Sequence, residues 1–145
     1  MKALIQRVKK ASVTIDGELY SEINAGLLVF LGVTKEDGNE NSAKLAEKIL
    51  KLRIFEDDND KMNLSVEDIK GEILVVSQFT LCADCKKGTR PSFESAAAPE
   101  KAVELYEDFV SQLRLAGTRV KTGKFRAMME VSLINDGPVT IFAEK

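Results

Sequence analysis

From Gly26 to Val33 the chain reads Gly-Leu-Leu-Val-Phe-Leu-Gly-Val, with no polar side chain anywhere in the run. That is far short of the ~20 apolar residues needed to cross a bilayer. It has the length and composition of a strand covered on both faces, which needs a layer of structure against each side.

The segments around it supply those layers. Leu4 to Val8 and Ala11 to Ile15 alternate apolar and polar residues and predict two short strands. Asp16-Gly17 predicts a hairpin turn, with Glu18 to Ile23 returning. Ala43 to Leu52 places Leu45, Ala46, Ile49, Leu50 and Leu52 on or near one helical face. Asp57-Asp58-Asn59-Asp60 lacks the spacing and central glycine of a calcium loop and reads as a solvated turn. Glu72 to Leu81 is a central strand whose apolar half gives way to Ser77, Gln78 and Thr80. Residues 82 to 98 form a long loop. Pro99 suits the first turn of a helix with the stripe Ala102, Leu105, Tyr106, Phe109 and Leu113, which Gly117 stops. Arg119 to Thr122 and Met129 to Leu133 are strands, Asn135 to Pro138 a turn, and Val139 to Ala143 a last strand. The expected fold is therefore α+β: a largely antiparallel, partly closed β-sheet or barrel with two main helices packed outside. With 145 residues and no linker or repeat, one domain spanning 1–145 is expected.

Composition narrows the chemistry. There are 21 basic and 23 acidic residues, for a net charge of −2, so any contact with nucleic acid must come from a local basic patch. No histidine is present, which removes Ser-His-Asp and Cys-His triads and histidine-based zinc sites. Cys82 and Cys85 supply only two of the four ligands of a structural zinc, so no metal and no cofactor is expected. Met1 to Arg7 shows no signal-peptide pattern, and the cytoplasm is the expected location.

Three segments remain that could carry chemistry. Ser77-Gln78-Phe79-Thr80 puts hydroxyls and an amide at the end of a buried strand, where an unpartnered polar group costs about 1–3 kcal/mol. These groups either serve a site or bond the neighbouring loop. Gly137-Pro138 is either a tight turn or a cis turn whose carbonyl oxygens point in a fixed direction. The stretches Lys86-Lys87-Gly88-Thr89-Arg90-Pro91-Ser92-Phe93 and Lys121-Thr122-Gly123-Lys124-Phe125-Arg126 interleave cations with phenylalanines. They either hold phosphates and stack a base, or are solvated loops anchored by their rings.

Taken together and in this order, the segments resemble the D-aminoacyl-tRNA deacylase family, also known for D-Tyr-tRNA deacylase activity. The resemblance runs nearly end to end. It includes Leu4-Ile5-Gln6-Arg7-Val8, Arg53-Ile54-Phe55, Lys61-Met62-Asn63-Leu64-Ser65, Ser77-Gln78-Phe79-Thr80-Leu81, Arg90-Pro91-Ser92-Phe93 and Asn135-Asp136-Gly137-Pro138-Val139-Thr140. Members of the family often carry a small residue where this chain has Arg126.

The resemblance implies hydrolysis of the ester of D-aminoacyl-tRNA, with glycyl-tRNA a second substrate. It implies a catalytic segment of Ser77, Gln78, Phe79 and Thr80, in which main-chain N–H groups near Phe79 and Thr80 stabilise the tetrahedral intermediate. It implies a cis Gly137-Pro138 that reaches across a homodimer, braced by Arg7, to select chirality. Phe125 and Met129 would contact the terminal adenine. Lys86, Lys87, Arg90, Lys121, Lys124 and Arg126 would follow the tRNA body. The implied partners are tRNA and a second copy of the chain, with neither a membrane nor DNA. The rival reading is a non-catalytic tRNA-binding dimer on the same scaffold.

Overall fold

A computed structural model describes residues 1–145. Strand β1 (Lys2–Ile15) turns at Asp16-Gly17 into β2 (Glu18–Ile23), which is followed by β3 (Gly26–Gly32). β2 and β3 lie end to end along one edge of β1 and share one register with it, from Val8 opposite Gly26 on to Ala11 opposite Ile23. Helix α1 (Asn39–Leu50), the short pair β4 (Phe55–Glu56) and β5 (Met62–Leu64), and strand β6 (Glu72–Ser77) come next. Helix α2 (Pro99–Leu115), β7 (Arg119–Thr122) and β8 (Glu130–Glu144) complete the chain.

The main sheet continues from β3 to β6 and β7, with β8 on the other edge of β1. Pairings on β1 are antiparallel, while β3–β6 and β6–β7 are parallel. The sheet curls until Ser21 Oγ of β2 donates to the Thr122 carbonyl of β7 at 2.9 Å, which makes it a half-closed barrel.

The two faces of β3 show why its sequence has no polar break. Leu27, Val29 and Leu31 pack with Ile73 and Val75 of β6 against Leu45 and Ile49 of α1 and Leu105, Phe109 and Leu113 of α2. Leu28 turns the other way, joining Leu74, Val76, Val8, Val13 and Ile23 inside the curl. Each side chain so covered contributes roughly 1.5–3 kcal/mol relative to exposure. The helices are tied to each other by Ser42 Oγ donating to Asp108 Oδ2 at 2.6 Å.

Several boundaries differ from the sequence expectation. β1 is one strand: exposed Lys9 and Lys10 interrupt the apolar pattern and the register with β8 shifts at Lys9, yet Lys10 pairs again with Ile134. Asn135 to Pro138 is not a turn between two strands, since β8 runs through it. Four residues, Asp136 to Val139, bulge opposite the single residue Arg7, and pairing resumes at Gln6 opposite Thr140. α1 begins at Asn39, four residues before Ala43, with the Gly38 N–H donating to Asn41 Oδ1 at 2.9 Å. β6 stops at Ser77. No helix is long and apolar enough to cross a membrane.

Candidate active site

At the end of β6 the chain leaves the sheet but stays tied to it. The Gln78 N–H donates to the Leu31 carbonyl of β3 at 2.7 Å, and a single 3-10 turn, Phe79–Cys82, follows. Its bonding begins with the Leu81 N–H on the Gln78 carbonyl, so the N–H groups of Phe79 and Thr80 lie outside that ladder. Gln78 Nε2 donates to Thr80 Oγ1 at 2.5 Å. Buried Cys82 anchors the far end through Sγ on the Val33 carbonyl, and burial pushes its thiol pKa up.

The opposite wall hangs from one atom. The Val75 carbonyl accepts from the Gly123 N–H just beyond β7 and from the Tyr106 hydroxyl of α2, both at 2.9 Å. Tyr106 is buried, which raises its phenol pKa, and its ring lies 5.9 Å from that of Phe125 at 48°. A Cβ at Gly123 would stand 2.7 Å from Met129 Sδ, so the glycine makes room for the thioether. Arg126 takes a φ of 62°, in the left-handed region where a small residue is easier to accommodate.

Between these walls is a cavity of about 360 Å³. Ser77, Gln78 and Phe79 line one side, Phe125, Arg126 and Met129 the other, with Tyr106 between. Most of the lining is apolar, with a few polar groups converging, as in small-molecule sites generally. Thr80 is exposed and is not part of the lining.

A second constellation sits on the β8 bulge. Gly137-Pro138 is a cis peptide, and both residues are exposed. The buried Arg7 guanidinium donates from Nε to the Asp136 carbonyl at 3.1 Å and from Nη1 to the Ile54 carbonyl at 2.6 Å. Asn135 Nδ2 spans the bulge, donating to the carbonyls of Arg7 at 3.0 Å and Val139 at 2.9 Å. None of Arg7, Gly137 and Pro138 lines the cavity of its own chain.

The basic residues separate. Arg126 lines the cavity, whereas Lys86 lines a different one, with Lys2 and Lys35. Lys87, Arg90, Lys121 and Lys124 are exposed and line neither. Cys82 and Cys85 are both free thiols. Sequence reasoning gave no role to Asn135, although it lies inside a motif it singled out, and placed Tyr106 only in a core stripe. No pattern in the sequence marks that phenol as the group reaching Val75.

The family model described as D-Tyr-tRNA(Tyr) deacylase matches residues 4–144. The chain belongs to this family. Among the deacylase relatives, the D-aminoacyl-tRNA deacylase of Thermodesulfovibrio yellowstonii is 59% identical over 140 residues, covering 97% of this chain and 96% of that protein. That of Koribacter versatilis is 57% identical over 144 residues, covering 99% and 97%. Among solved structures, a c-Myc DNA Unwinding Element Binding Protein superposes with a TM-score of 0.95 at 46% identity, covering 100% of this chain and 99% of that one. A "probable eukaryotic D-amino acid tRNA deacylase" superposes with a TM-score of 0.87 at 18% identity, covering 99% and 98%, a likeness of fold. Both signature segments of the deacylase resemblance, Ser77 to Leu81 and Asn135 to Thr140, fall inside the matched region.

Proposed function

We propose that this chain, acting as one deacylase domain in the cytoplasm, hydrolyses the ester of D-aminoacyl-tRNA and releases the free D-amino acid and tRNA. The observation that carries the reading is the single cavity joining Ser77, Gln78 and Phe79 to Phe125 and Met129 in a chain that matches the deacylase family along its length. The terminal adenosine lies against Phe125 and Met129, and Gln78 orients its ribose. The N–H groups of Phe79 and Thr80, free of the 3-10 ladder, face the charge that develops on the ester oxygen.

Chirality is read by the main chain. The exposed Gly137-Pro138 segment reaches into the cavity of a second copy, where its carbonyl oxygens hold the α-ammonium and its backbone leaves no space for an L side chain. Two observations support a homodimer: β8 is paired on one edge only, and Gly137 and Pro138 are exposed without lining the cavity of their own chain. Glycine has no side chain to exclude, so glycyl-tRNA is a second substrate. With no histidine to take a proton from Thr80, the attacking group is water assisted by the terminal ribose 2′-hydroxyl. The exposed cations Lys86, Lys87, Arg90, Lys121, Lys124 and Arg126 follow the tRNA body, so affinity falls as salt rises.

The test is release of tyrosine from D-Tyr-tRNA and L-Tyr-tRNA. Cleavage of the D-ester alone is expected. Equal cleavage of both overturns the chiral reading, and binding without cleavage favours a non-catalytic tRNA-binding dimer. A substrate ending in 2′-deoxyadenosine should turn over far more slowly; undiminished rates would return the role to Thr80.

A further inference from the structure

Two exposed phenylalanines lie in contact beside the cavity. Phe79 is 59% exposed and Phe93 38% exposed, with ring centroids 5.1 Å apart and planes at 57°. Phe79 belongs to the cavity wall. Phe93 stands between Ser92 and Glu94, which line a separate cavity of about 370 Å³. Lys2, Lys35 and Lys86 line that second cavity too, outnumbering its carboxylates, Asp84 and Glu94. The ring pair therefore links an apolar cavity to one lined by three lysines.

We propose that the Phe79–Phe93 pair stacks the base preceding the terminal nucleotide, and that the Lys2–Lys35–Lys86 cavity takes a phosphate of the same single strand. This rests on the function proposed above. A nucleotide chain leaving the cavity past Phe79 meets the paired ring of Phe93 next. Exposed aromatic rings stack the π-face of a base in an unpaired strand. The cations beside the rings attract phosphates.

The experiment compares, by calorimetry, binding of the trinucleotide cytidylyl-cytidylyl-adenosine with that of adenosine 5′-monophosphate. The trinucleotide should bind roughly tenfold more tightly, and Phe93→Leu should remove most of that difference while Phe93→Trp restores it. In parallel, Lys35→Ala should lower the slope of log affinity against log salt for whole tRNA by about one. Equal binding of the two ligands by the wild type overturns the proposal. So does equal weakening of both by Phe93→Leu, or a Phe93→Leu protein that changes only its sedimentation as a dimer, which would assign the rings to a second copy. Because binding is read without turnover, hydrolysis of D-Tyr-tRNA by the wild type judges the proposed function separately.

Discussion

Arg7 and Asp136, 129 residues apart in the chain, meet where the guanidinium Nε donates to the Asp136 carbonyl and lies 3.4 Å from its carboxylate. The same side chain reaches the Ile54 carbonyl, so one planar cation fixes the bulge to the segment before β4. A lysine is a point donor and cannot reproduce that fork. Arg7→Lys should lose about 1–3 kcal/mol in denaturant unfolding, the cost of a buried carbonyl left without its donor. It should also lower kcat/KM by at least tenfold if the bulge selects substrate. Lys9→Ala removes an exposed contact to the same aspartate at 3.9 Å and should change stability by less than about 0.5 kcal/mol. Equal effects of the two variants would contradict the bracing role.

Gly137 has a φ of 131°, and an added Cβ would stand 2.7 Å from Val139 Cγ2, 2.9 Å from the Val139 nitrogen and 3.1 Å from Arg7 Nη2. Gly137→Ala should cost about 1–3 kcal/mol and most of the activity. Combining it with Val139→Ala relieves only the Val139 Cγ2 contact and leaves those to the Val139 nitrogen and Arg7, so activity should stay low in the double variant. Recovery there would mean that the backbone contact does not matter.

Thr80 accepts a hydrogen bond from Gln78 and lies outside the cavity lining. Thr80→Ala should therefore retain measurable turnover of D-Tyr-tRNA, whereas removal of the ring in Phe79→Ala should weaken substrate binding. Complete loss in Thr80→Ala, with folding and tRNA affinity intact, would make the hydroxyl the nucleophile.

Burial raises the Tyr106 phenol above its ordinary 10.0. Above that pH the unfolded chain releases the proton while the folded chain holds it, so stability is lost as pH rises. Tyr106→Phe should be less stable by about 1 kcal/mol at neutral pH through the lost bond to Val75. That deficit should shrink above pH 10.0, because phenylalanine has no proton to retain. Parallel stability curves for the two proteins would refute the assignment.

Cys85 is exposed, while Cys82 is buried with its thiol pKa raised by that burial. Iodoacetamide should label Cys85 on the folded protein at neutral pH and reach Cys82 only after unfolding. Mass spectrometry of the labelled peptide distinguishes the two.

The legible part of the fold is the part governed by periodicity. The unbroken run in β3, the stripe from Leu105 to Leu113 with Pro99 at its start, and the Asp16-Gly17 hairpin all form as their patterns predict. Pattern fails where a strand resumes its pairing after a bulge. Lys9-Lys10 and Asn135 to Pro138 look like strand ends, yet β1 and β8 absorb them as shifts of register and pair again on the far side. The site divides the same way. Its motifs are readable, but the meeting of Ser77 with Phe125, and of Tyr106 with Val75, depends on long-range packing that spacing does not encode.

A strand end, a loop and a helix all converge on the carbonyl of Val75. That oxygen works as a common datum: moving α2 shifts Tyr106, and with it the ring of Phe125, relative to Ser77 without breaking any strand pairing. Volume-conserving substitutions distant on α2, such as Leu113→Met, should therefore surface as a poorer grip on the nucleotide at little cost in stability.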